Sequence, residues 1–326
     1  MESRSPQLPP QPPGAVNALI NGFNAVANNV VVILFPVFFD ILFWLGPRLK
    51  VDALFAPMIR DVAEIQQTMK GFPVTSQMLQ EFWGGFNLLS ILRTFPLGIF
   101  SLMSVNPSGT SPLGLRPNWD LNGALQALCL LSIFTFLGWL GGSFYYFFVS
   151  RVALAAEKHP RLSYAIFHSL LLAGIWALAG MVASLPAIFL LGILLLINQT
   201  MGVIVYFLMM LFLIWITLPV FFSFHGIFTR AQNALVSIWQ SFRVVRYGLP
   251  SLGWFAVIVL VISQGLDMLW RIPPADSWMA LVGILGHAFI STGLLAASFI
   301  FYRDMQTWVE DALQWIKTNQ ITSARA

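Results

Sequence analysis

The sequence predicts an all-α polytopic membrane protein, six transmembrane helices in a bundle with a structured outer loop of amphipathic helices. Three observations predict it. Of 326 residues, 58% are hydrophobic and only 9% are charged, against roughly 25% charged in a soluble domain. So few charges cannot clothe a globular surface. Six stretches reach the length of about 20 mainly apolar residues that a spanning helix requires. The Lys and Arg residues between those stretches gather mostly on one side, the asymmetry that sets orientation in a bilayer.

The elements follow in order. Residues 1–14, MESRSPQLPPQPPG, are rich in proline and lack the apolar core of a signal peptide, so they predict a short disordered tail. Residues 15–326 read as one membrane domain. Its predicted spans are about 22–45, 124–148, 164–190, 203–222, 252–270 and 278–302. Pro186 is placed to kink the third, and Asn198, Gln199 and Thr200 separate the third from the fourth. One side of this arrangement carries Arg4, then Arg151, Lys158 and Arg161, then Arg230, Arg243 and Arg246, then Arg303, Lys317 and Arg325. The short loops of the other side hold only Arg271. The basic side is therefore expected to be cytoplasmic, with both termini there, in the cell membrane of a bacterium.

The outer loop, residues 46–123, is long enough to translocate regardless of its own cations. Leu54, Met58, Val62, Ile65 and Met69 recur at helical spacing among Asp61, Glu64, Gln67 and Lys70, which predicts an amphipathic helix ended by Gly71 and Pro73. A second helix is expected from about Thr75. The stretch 84–103, GGFNLLSILRTFPLGIFSLM, is long enough to span, which would give seven helices. Arg93 and Pro96 in its middle predict instead a helix-and-loop element that lies in, or dips into, the outer interface, with its backbone buried by protein.

Two amphipathic segments lie on the inner side. Leu235, Ile238, Trp239, Phe242 and Val245 form a stripe bracketed by Arg230, Arg243 and Arg246. Two readings stay open: an interfacial helix whose three arginines contact lipid headgroups, or a cytoplasmic extension of the fourth span packed on its neighbours. Met305, Trp308, Val309, Ala312 and Ile316 form a second stripe along a C-terminal helix at 305–317.

Four stretches together, FPVFFDILFWLGPRL, NLLSILRTFPLGIFSLM, ALVSIWQSFRVVRYG and FIFYRDMQTWVEDAL, resemble multispan bacterial membrane proteins akin to the membrane domain of glycerophosphodiester phosphodiesterases. The likeness includes the basic, Trp-bearing helix after the fourth span and the pattern Tyr302, Arg303, Asp304 at the end of the last. It implies a six-helix bundle and no activity, because the catalytic phosphodiesterase domain has no counterpart in the chain.

No phosphate-binding loop, HExxH, dinucleotide fingerprint or GxSxG is present, and His159, His168, His225 and His287 lack metal-ligand spacing. Cys129 is alone, so neither a disulfide within the chain nor a cysteine metal cluster can form. Asn198-Gln199-Thr200 matches a glycosylation acceptor but lies too close to the membrane to serve as one. No catalytic, cofactor or metal residue is expected.

The candidate site is an intramembrane polar set. Asp40 and Asp267 fall at similar depth near the outer ends of the first and fifth spans, with Arg48, Arg93 and Arg271 at the same level. Asp267 and Arg271 have the spacing of an i,i+4 pair. The set reads either as a proton or substrate site, or as carboxylates that dock the outer loop by pairing with arginine or capping loop amides. His287, inside the sixth span, should face the bundle and bond a backbone carbonyl or Ser291. Small residues four apart, Gly138 and Gly142, Ala173 and Ala177, Gly180 and Ser184, Gly293 and Ala297, mark close helix approach. The expected function is an accessory, assembly or lipid-organising component without catalysis, with membrane lipids and other membrane subunits as partners and no nucleic acid. The alternative is a transporter for a small or lipidic solute.

Overall fold

A computed structural model describes residues 11–68, 75–105 and 109–323. Most of the predicted tail and the expected stop signals Gly71 and Pro73 lie outside those residues. The fold is helical with four very short strands. The helices are α1 (Ala15–Asn28), α2 (Leu34–Leu45), α3 (Asp52–Thr68), α4 (Ser76–Gly85), α5 (Ala124–Ala153), α6 (Leu162–Ile197), α7 (Gln199–Arg230), α8 (Ala234–Trp270) and α9 (Ala280–Ser323). The strands are β1 (Arg48–Lys50), β2 (Thr110–Ser111), β3 (Gly114–Leu115) and β4 (Asn118–Asp120); β1 pairs with β4 in parallel and β2 with β3 antiparallel. Helices α5 to α9 are each long and apolar enough to cross a membrane, and the α1–α2 pair makes a sixth if it crosses as one. This is an all-α, multi-pass membrane protein.

The predicted first span is interrupted. Helix α1 stops at Asn28, and a 3-10 turn, Val30–Ile33, precedes α2. Two consecutive asparagines, which bond readily to local backbone, explain the break. The other spans are longer than their apolar cores. Helix α8 begins at Ala234, where Asn233 Oδ1 accepts the Val236 N–H at 2.9 Å, so the basic inner segment is neither a separate interfacial helix nor an extension of the fourth span. It is the first part of the fifth. Ala231, in the left-handed conformation, separates it from α7. The predicted C-terminal helix is likewise continuous with the sixth span in α9.

The chain divides into two units. One comprises Met1–Asn28, Tyr146–Leu260 and Gly293–Ala326, the other Asn29–Tyr145 and Val261–Thr292. In the first unit, α1 packs on α9 so closely that a Cβ on Gly22 would strike the Ala297 backbone and one on Gly293 the Phe23 ring. His225 is buried there among Tyr146, Phe222, Phe299 and Tyr302, bonded to Ser298 Oγ at 2.8 Å and to the Phe221 carbonyl at 3.2 Å. Packing of α7 on α8 uses serines: Ser241 Oγ donates to the Pro219 carbonyl and Ser237 Oγ to that of Ser223. The buried face of α8 is therefore Ala234, Ser237, Ser241 and Val244, while Leu235 and Trp239 of the predicted stripe remain exposed. From Ala177 to Thr217, α6 and α7 form a hairpin whose side chains, Gly202 apart, are exposed or half-exposed. Its best windows are the most apolar of the chain, at mean hydropathy 2.5 and 2.6.

In the second unit, the loop between α4 and α5 does not span. It forms a 3-10 turn, Leu88–Arg93, and then irregular chain to a second turn, Met103–Val105. Leu97, Ile99 and Leu102 are almost wholly buried. A Cβ on Gly138 would strike the Leu92 carbonyl and one on Gly142 that of Leu97. These two glycines, midway along α5, thus accept an irregular loop rather than a helix. The loop is covered by protein alongside the middle of α5, as non-helical backbone beside a candidate span requires.

Candidate functional site

The predicted polar set comes together in the second unit. Asp40, on α2, is 0% exposed. Its Oδ1 accepts both the Ser101 hydroxyl at 2.6 Å and the Met103 N–H at 2.8 Å. Both donors belong to the irregular loop, so the carboxylate caps loop amides and docks the loop. It does not pair with arginine: no guanidinium lies within 4.0 Å of it among the described residues. The loop is held a second time at its entry, where Asn87 Oδ1 accepts the Leu49 N–H at 3.0 Å and the Leu89 N–H at 3.2 Å.

His287, on α9, stands close enough to act electrostatically on Asp40. Its Nδ1 contacts Asp267 Oδ1 at 2.8 Å, in place of the expected carbonyl or Ser291; the Ser291 hydroxyl donates to the Ala288 carbonyl. The second ring nitrogen, Nε2, and Asp40 Oδ2 are both buried without a hydrogen-bond partner among the described residues. The expected Asp267–Arg271 pair is not formed. The Arg271 N–H still bonds the Asp267 carbonyl at 3.2 Å, as in a helix, but the Asp267 carboxylate is taken by His287. Arg93 donates to Ser104 Oγ at 2.7 Å and lies within electrostatic reach of Arg271, Asp267 and Asp40. All five predicted residues, Asp40, Asp267, His287, Arg93 and Arg271, therefore belong to one cluster. Ser101, Ser104 and the Met103 amide complete it.

Of the predicted headgroup contacts, Arg230 is engaged by protein, with Glu310 at 2.6 Å and Thr307 at 3.0 Å. Arg243 is half-buried and Arg246 exposed. Arg48 is not in the Asp40 cluster. It donates to the Gly84 and Gly85 carbonyls, each at 3.3 Å.

The second unit also holds a cavity of about 410 Å³ between α3, α4 and the first two turns of α5. All its lining side chains are apolar, Val51, Leu54, Phe55, Trp83, Phe86 and Leu128 among them. The Phe55 and Trp83 rings stack on each other at 3.5 Å in its wall. Helix α4 starts where predicted, with Thr75 Oγ1 accepting the Met78 N–H at 3.1 Å. On the outside of this helix pair Met58, Ile65, Met78 and Phe82 are exposed.

Fold and site thus define a polytopic helical membrane protein with an irregular loop packed on a candidate spanning helix and an apolar cavity in the same unit. No family model matches the chain, and no curated protein or solved structure matches it.

Proposed function

We propose that the protein is a lipid-organising component of its membrane that works by binding, without catalysis. The cavity carries this reading. A space of about 410 Å³ lined by aliphatic and aromatic side chains suits a hydrocarbon chain better than a water-soluble substrate. Its wall includes the exposed Leu128 of a spanning helix, the face that lipid wets. Mass spectrometry of the protein extracted in mild detergent tests this reading. Retained phospholipid should fall several-fold in Ala127→Phe, which fills the cavity. Equal lipid retention in the variant and the parent would refute it.

A transporter is the second reading, favoured by the Asp40, His287 and Asp267 cluster. Buried ionisable groups on spanning helices mark proton or solute pathways, and interrupted helices accompany such sites in transporters.

A further inference from the structure

Arg48 and Arg116 are 6% and 5% exposed. Buried guanidinium groups are normally paired with carboxylates, because an unpaired buried charge is costly. Among the described residues no carboxylate lies within 4.0 Å of either. The two arginines also act on each other: the Arg116 guanidinium is pushed down to about 10, first by burial and then by the adjacent Arg48 charge. Their partners are backbone carbonyls. Arg48 Nη2 reaches Gly84 and Gly85, and Arg116 Nε donates to the Gly46 carbonyl at 3.1 Å. Arg48 Nε and Arg116 Nη2 are buried donors without an acceptor among the described residues.

The position of this pair gives it meaning. Gly84 and Gly85 lie between Trp83 and Phe86, both lining the apolar cavity, and Arg48 is one short strand away from Val51, which also lines it. Arg48 thus sits beside residues that line a hydrocarbon-sized space, with Arg116 within its electrostatic reach; neither guanidinium lines the space itself. Lys50, between them in sequence, is neutralised by Asp52 at 3.4 Å and adds nothing to the field.

We propose that Arg48 and Arg116 bind the phosphate of an anionic phospholipid whose acyl chain occupies the cavity. This rests on the lipid reading above and names the lipid class. Guanidinium is the side chain suited to phosphate, with planar paired donors and weak hydration. The bound phosphate supplies the missing acceptors and the missing counter-charge together, while the tail excludes water. A free phosphate would satisfy only the arginines.

The test offers the purified full-length protein equal amounts of dioleoyl-phosphatidylglycerol and dioleoyl-phosphatidylcholine and counts bound lipids by native mass spectrometry. The expected preference for the anionic lipid is about tenfold, or about 1.4 kcal/mol. It should fall to parity in Arg48→Gln with Arg116→Gln while total lipid binding persists. It should fall several-fold in Arg116→Lys, which keeps the charge but not the planar donor pair and so guards against misfolding. Arg230→Gln, at a side chain already held by Glu310, should leave it unchanged. Parity in the parent protein, or a preference that survives in Arg116→Lys, overturns the headgroup assignment. If Ala127→Phe leaves binding of both lipids intact, the cavity reading falls instead. Abolition of the preference by inorganic phosphate at constant ionic strength assigns the pair to the free ion and overturns the lipid.

Discussion

Replacing Asp40 separates a structural clamp from a charge-bearing site, because of where its hydrogen bonds land. Ser101 and Met103 both donate to the same carboxylate oxygen. Asp40→Asn keeps that oxygen as a carbonyl, so both bonds can survive. The new amide occupies the Oδ2 position, whose neighbourhood includes His287, a potential acceptor. The amide also avoids the desolvation of a buried charge, and the net change should be below about 1 kcal/mol. Asp40→Ala removes both acceptors. Stranding the buried Met103 N–H costs about 1–3 kcal/mol, and the hydroxyl of Ser101 can turn to another acceptor more cheaply. With the small void left behind, about 3 kcal/mol is expected. At roughly 2 °C per kcal/mol for a chain of this size, Asp40→Ala should melt about 6 °C below the parent in detergent, and Asp40→Asn within about 2 °C of it. Intrinsic tryptophan fluorescence during heating reads both. Equal losses in the two variants would refute the argument, since they would show that the clamp needs the ionised carboxylate. That result would favour the transporter reading, in which Asp40 and His287 share a proton. An Ala variant as stable as the parent would remove the clamp altogether.

Further outcomes follow from other parts of the molecule. Gly142→Ala should destabilise by about 1–3 kcal/mol, the usual cost of overpacking, because its methyl would meet the Leu97 carbonyl; Gly180→Ala, with open space around it, should be neutral or slightly stabilising by melting temperature. A double-mutant cycle on Arg230 and Glu310, measured by thermal unfolding, should give a coupling under about 1 kcal/mol, since both are partly exposed. In a Cys129→Ala background, cysteine at Gln67 should react with a membrane-impermeant thiol reagent in intact cells and cysteine at Lys158 should not; the reverse pattern would invert the expected orientation. With Arg230 held by Glu310, any stabilisation by anionic lipid at the basic part of α8 should be lost in Arg243→Gln with Arg246→Gln and kept in Arg230→Gln.

The sequence made some of this legible for clear physical reasons. A charge in an apolar run is conspicuous because it is expensive, which is how Asp40, Asp267, His287, Arg93 and Arg271 could be picked from the chain alone. Their partners could not. Ser101 and the Met103 amide are 61 and 63 residues from Asp40, and a serine or a backbone N–H has no distinctive signature. Arg116 reads as an ordinary loop cation and Arg48 as a neighbour of Asp40, because the contacts that bury them lie 36 to 70 residues away. Local capping chemistry was readable, as Thr75 shows. The break between α1 and α2 was not, because the apolar run continues through it and only the pair Asn28–Asn29 interrupts it. Glycine spacing located close approaches correctly at Gly138 and Gly142, but spacing cannot tell whether the visitor is a helix or a loop.

The α6–α7 hairpin has a bearing on how the chain tolerates change. Most of its side chains are not buried against the rest of the chain, so constraint there falls on oiliness and helix length rather than on the identity of each side chain. Exchanges such as Leu196→Ile or Phe207→Leu should pass unnoticed, whereas the loop cradled by Gly138 and Gly142 admits almost none. A saturation scan of the gene would then divide into two regimes. One is a permissive arm free to drift as long as it stays greasy. The other is an intolerant pocket around Asp40, where even a methyl group is registered.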